Sequence, residues 1–182
     1  PFTGVLDHKL YTIRDDGSDL KQITSGDTHD AGPAWSPDGE WIVFTREETL
    51  WKTRADGSEP THLWGQPGEV RVLGVAWSID SQRIAFLSTS LDMTTSKGTM
   101  LRTIKPDGTD TRMVYTLDGV LQGGSLGWSP DSEQIVCHCG FADEERFVLF
   151  DVDGEDEPKA PTAPPIVWCH GYWPQWGLFP DE

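Results

Sequence analysis

Cys137-His138-Cys139 and Cys169-His170 form the densest group of metal-ligating side chains in the sequence. If the first trio lies in a strand, Cys137 and Cys139 share one face and His138 takes the other. Cys139, Cys169 and His170 are then the weak candidates for a metal site or a disulfide, but their spacing matches no standard zinc pattern. Cys137 stands where related stretches carry Phe44 and Phe86, so burial accounts for it without chemistry. Three Cys make no disulfide framework, and no cofactor is implied. Gly123-Gly124-Ser125-Leu126-Gly127 spells G-x-S-x-G, and Ser125, Asp143 and His170 follow the chain order of a hydrolase triad. A nucleophile elbow needs a strand, a sharp turn and a helix. Here the match runs into Trp128 with no helical pattern after it, so its glycines read as a loop that bends. No catalytic residue is assigned, and the chain is expected not to be an enzyme.

Acidic clusters are the other chemical feature: Asp15-Asp16, Glu47-Glu48, Asp143-Glu144-Glu145, and Asp151 to Glu157. Calcium takes oxygen ligands from such groups. None has the spacing of a calcium loop, so they read as solvated turns and rims. The chain carries 30 Asp and Glu against 14 Lys and Arg, a formal net charge of -16. That balance excludes nucleic acid, whose phosphates need cations, and suits solubility or a cationic partner. No apolar run approaches a membrane span and no signal-peptide pattern precedes the first strands, so no membrane partner is expected.

The elements that would position these groups repeat. AWSPDGEWIVF (Ala34 to Phe44) reads as a strand, a tight reversal and a second strand. Ser36-Pro37-Asp38-Gly39 fits a type I turn, with Pro presetting φ at the second position and Gly favoured at the fourth. Trp41-Ile42-Val43-Phe44 runs apolar without alternation, as a strand does when both faces are covered. The unit returns as AWSIDSQRIAF (Ala76 to Phe86) and GWSPDSEQIVC (Gly127 to Cys137), and begins again at Gln175-Trp176-Gly177. Interleaved with it is a strand running into Asp-Gly: LYTIRDDGS, LWKTRADGS, LRTIKPDGT and FVLFDVDGE. Asp-Gly between strands is a hairpin signal because the turn needs positive φ. Each unit is therefore strand A, the SPDG-like turn, strand B, a loop, strand C, the Asp-Gly turn and strand D. Four antiparallel strands at a period of roughly 40–50 residues are the pattern of a propeller blade.

WSPDG before an apolar strand, followed by strand-DG-[ST], resembles the TolB-type β-propeller repeat. Similar repeats occur in the propeller domains of tricorn-like and prolyl-oligopeptidase-like peptidases and in oligogalacturonate lyases. The likeness covers nearly the whole chain; Ile79 replaces the turn Pro, and Ser81 and Ser132 replace the turn Gly. The expected fold is all-β, a β-propeller of four-stranded antiparallel blades in four repeats, with one blade built from both termini. Residues 1–30 would give strands B to D of the closing blade, with Phe2 matching Phe44. Residues 31–67, 68–120 and 121–168 would give one blade each, and 169–182 strand A of the closing blade. The Pro-rich stretch Glu155 to Pro165 stands where the last full unit needs strand D. Two other arrangements stay open: a homodimer completing a larger ring, and a portion of a longer protein.

In propellers of this kind the loops leading into strand A and the B–C loops share one face around the central opening. Here the former are THDAG, GEVRVLG, LQGGSLG and CHGYWPQ. The resemblance therefore gathers His29, Asp30, Glu69, Arg71, Gln122, His170 and Tyr172 as candidate ligand-binding residues. The expected function is non-enzymatic binding or scaffolding, with this face offered to a protein partner or a small ligand. The alternatives are a propeller portion of a larger hydrolase or lyase, and a purely structural or engineered ring without ligand. Oligogalacturonate lyases hold a metal with several His and Gln side chains, a pattern not evident among five scattered His.

Overall fold

The computed structural model describes residues 2–6, 8–92, 98–117, 125–141 and 144–153. Among them there are only strands and turns, arranged as four antiparallel up-and-down sheets. The first holds β1 (Phe2–Leu6), β2 (Lys9–Ile13) and β3 (Lys21–Gln22). The second holds β4 (Asp30–Trp35), β5 (Trp41–Arg46), β6 (Thr49–Arg54) and β7 (Thr61–Trp64). The third holds β8 (Val70–Trp77), β9 (Ile84–Ser90), β10 (Thr99–Ile104) and β11 (Arg112–Leu117). The fourth holds β12 (Ser125–Trp128), β13 (Gln134–Phe141) and β14 (Glu144–Asp151). The expected strands over 155–165 and 169–182 lie outside the described residues.

The unalternating apolar runs are covered on both faces. Ile42, Val43 and Phe44 have no exposed surface, nor do Ile84 to Leu87 or Ile135 to Cys137. Successive residues of these strands point to opposite sides. Ile42 and Phe44 join Leu10 and Ile23 between the first two sheets, while Val43 joins Leu63, Ile84 and Phe86 between the second and third. Ala85 and Leu87 face the other way, to Leu126, Ile135 and Cys137 in the fourth. Each core is thus shared by two sheets that follow one another in the chain, and the first strands β4, β8 and β12 pack side by side.

The turn chemistry is the same three times. Ser36 Oγ accepts the Trp41 N–H at 2.9 Å, and Asp38 Oδ1 accepts the Glu40 N–H at 2.9 Å. Ser78 with Asp80, and Ser129 with Asp131, repeat both contacts. The fourth turn residue is left-handed in each: Gly39 at φ 75, Ser81 at 60 and Ser132 at 61. Ser in that region is strained, but here its hydroxyl joins two sheets. Ser81 Oγ accepts the Asp38 N–H and Ser132 Oγ accepts the Asp80 N–H, both at 3.3 Å.

One expected match shifts. Phe2 corresponds to Ile42, not Phe44. The β1–β2 and β5–β6 hairpins close on Leu6↔Lys9 and Arg46↔Thr49, with two residues between in each, so strands B and C of the two sheets align at one constant offset. G-x-S-x-G is strand here: Ser125 to Gly127 lie in β12, and β13 follows the turn.

Candidate functional site

The loops leading into β4 and β8 and the B–C turns lie at one end of the sheets and are bonded into a continuous rim. Asp30 N–H donates to the His8 carbonyl at 3.0 Å, and Val72 N–H to the Glu48 carbonyl at 2.8 Å. Within a sheet, Glu47 N–H donates to the His29 carbonyl and Leu91 N–H to the Glu69 carbonyl. The same rule therefore ties each loop to its own sheet's B–C turn and to that of the sheet before.

Glu47-Glu48 is the joint of this rim. The two-residue turn holds both residues left-handed, at φ 46 and 64. Such a turn ordinarily selects Asn-Gly, because a side chain on left-handed backbone meets its own carbonyl. What the glutamates add is contact in both directions. Glu47 Oε1 accepts the His29 N–H at 2.6 Å, and Glu48 Oε1 accepts from Arg71 Nε at 2.7 Å. His29 and Arg71, far apart in sequence, are thus brought to one turn. The His29 ring lies 4.1 Å from that of His8. Sequence reasoning assigned Glu47-Glu48 to a solvated turn and passed over His8. The available signal was two Glu where a tight hairpin wants Asn-Gly.

Asp30 differs from the other candidates. It is fully buried, and Arg46 grips both its carboxylate oxygens, at 2.7 and 3.0 Å. The guanidinium lies 5.3 Å from the Phe44 ring centre and 5.1 Å from that of Trp51. Asp30 is therefore a positioning residue that fixes the start of β4 and so the backbone of His29. Glu69 lies farther along the rim, in an open pocket of ≈ 470 Å³ with Gly68, Val70, Ser90, Leu91 and Asp92. Gln122, Cys169, His170 and Tyr172 lie outside the described residues, and Cys139 sits in β13 opposite Arg146. Among the described residues, no three His, Cys, Asp or Glu side chains are grouped to hold a metal ion.

No family model matches the chain. TolB of Acinetobacter baumannii superposes with a TM-score of 0.67 at 14% identity, over 86% of this chain and 38% of that one. The fold is a TolB-like β-propeller. The propeller also matches an oligogalacturonate lyase in complex with manganese, at TM-score 0.65 and 12% identity, over 84% of this chain and 41% of that one. An uncharacterized protein of Agrobacterium fabrum is 26% identical over 153 residues, covering 74% of this chain and 49% of its own length. The propeller described here thus spans about half the length of that curated relative.

Proposed function

We propose that the chain is a non-enzymatic binding propeller whose ligand face is the rim of strand-A loops and B–C turns. The observation that carries this reading is the Glu47-Glu48 turn, which links two loops into one charged surface at the expense of two left-handed side chains. Strain of this kind persists where the surrounding structure uses it. The face sets Glu47, Glu48 and Glu69 among His8, His29 and Arg71; Gln122, His170 and Tyr172, expected on it from the sequence, lie outside the described residues. With a chain charge of -16, such a surface favours a protein or small ligand bearing hydrogen-bond donors or positive charge. Titration calorimetry with an oligolysine peptide, at about 50 and 300 mM salt, tests this. Binding should weaken at least tenfold in Glu47→Gln and Glu69→Gln and fall with salt. Equal affinity in both variants, or none in the wild type, overturns the assignment.

A second reading draws on the likeness to the manganese-bound lyase, of which this chain spans 41%: the chain would then be a portion of a larger propeller enzyme. Stoichiometric transition metal in the purified protein, by elemental analysis, would favour that reading over the first.

A further inference from the structure

Arginines in this acidic chain find carboxylates readily. Arg14, Arg46, Arg54, Arg71, Arg83 and Arg112 each pair with one. Arg102 has no such partner among the described residues, although the sequence holds 30 Asp and Glu. Its place makes that costly. Arg102 pairs with Phe86 across β10 and β9, and Met100 with Ser88, so these four side chains share one face. That face turns toward the second sheet, because Phe86 belongs to the core it shares with Val43 and Leu63. The half-buried guanidinium lies over Trp64, 5.2 Å from its ring centre, and the Trp64 ring lies 4.9 Å from that of Phe86. Burial pushes the guanidinium below the usual arginine range, though it stays charged. A cation withdrawn from water without a counter-charge is unfavourable. Yet this one is held in a fixed pose. Nε donates to Ser88 Oγ at 3.2 Å and Nη2 to Met100 Sδ at 2.9 Å, the latter a weak acceptor. Both N–H groups of Nη1 have no acceptor among the described residues. Beside them Met113, opposite Arg102 on β11, is 60% exposed, so the spot is open to solvent.

We propose that Arg102 is an anion-binding residue, and that the notch it forms with Trp64, Met100 and Met113 takes a carboxylate carrying an apolar group. Charge and shape set the class. The edge of a guanidinium matches a carboxylate in two parallel hydrogen bonds. Among the described residues no neighbouring charge adds to the effect of burial on Arg102, so a monoanion fits better than a phosphate dianion. A chain charge of -16 disfavours multiply charged anions further. Trp64, Met100 and Met113 supply a polarizable apolar flank, suited to an aryl or alkyl group next to the carboxylate. A free aryl or alkyl acid and the C-terminus of a peptide ending in an apolar residue present the same chemistry. The notch lies between the second and third sheets and takes the charge opposite to that favoured by the rim, so either assignment can fail without the other.

The test is a titration of the full chain followed by proton–nitrogen correlation spectra. Phenylacetate serves as the free acid and N-acetylalanylphenylalanine as the peptide, with their uncharged amides as controls. The Trp64 indole resonance, identified by its loss in Trp64→Phe, should shift and saturate with at least one acid below roughly 10 mM. The matching amide should bind at least tenfold more weakly. Arg102→Met, with its other resonances in place, should lose the response to the acid. A response to phenylacetate alone makes the ligand a small acid, and one to the peptide alone makes it a C-terminus; either upholds the site. No response to either acid, or an equal response to acid and amide, overturns the proposal whether or not the variants fold. A response that survives in Arg102→Met overturns it as well.

Discussion

Removing one partner of the Asp30–Arg46 pair should be far costlier on one side than on the other. Asp30 has no exposed surface and the Arg46 side chain keeps 16%. The next blade fills the same register position with Val72 opposite Ser88, so the site tolerates a pair without charge. Arg46→Met leaves a carboxylate buried and unpaired, which costs about 3–5 kcal/mol. Asp30→Val leaves a guanidinium that already lies over two rings and can extend to water, so its cost is smaller, about 1–2 kcal/mol. With both changes no charge remains to be solvated, and stability should return to within about 1 kcal/mol of the wild type, a coupling of at least ~2 kcal/mol. Urea unfolding followed by tryptophan fluorescence measures all four proteins, and equal slopes license comparison of midpoints. The reasoning fails if Arg46→Met costs less than about 1 kcal/mol, or if the two single costs simply add.

Three further outcomes are expected. Glu47→Asn with Glu48→Gly should raise the unfolding free energy by roughly 1 kcal/mol in urea titrations, as relief of left-handed strain outweighs the lost His29 contact, while oligolysine binding disappears. Gly57→Ala should cost above roughly 2 kcal/mol, because its φ is +88 and a Cβ would sit 2.5 Å from the Ile23 carbonyl oxygen; Gly17→Ala, left-handed but in open space, should cost only about 1–2. Hydroxyls and backbone N–H groups that hydrogen-bond the Asp16, Asp38, Asp56, Asp107 and Asp131 carboxylates hold them below the usual range, and Arg112 with Arg83 brings Asp110 to about 2. Folded pKa values below the unfolded 3.8 mean that the unfolded chain binds protons first. That share of stability is complete above about pH 5 and drains away toward pH 2; a thermal midpoint that stayed level over this interval would contradict it.

The architecture was written plainly in local chemistry. Trp41 to Phe44 announced a strand covered on both faces by failing to alternate, and Ser36-Pro37-Asp38-Gly39 and Asp56-Gly57 named their turns. What escaped the sequence lies between units. Ser81 and Ser132 looked like tolerated replacements of Gly, yet their hydroxyls bond the preceding blade's turn. Asp30 looked like a ligand group because residue type does not reveal which carboxylate an internal arginine has claimed. Phe2 was misplaced because apolar identity was weighed above the length of the B–C hairpin.

Sharing every core between two successive sheets makes the molecule behave as a row of coupled links. Among the described residues, the second and third sheets share a cluster on each flank, and β1-β2-β3 meets its sequence neighbour across the cluster built on Leu10 and Ile23. Amides of β9, buried along its length, should be the last to exchange with deuterium, and those of β2 among the first.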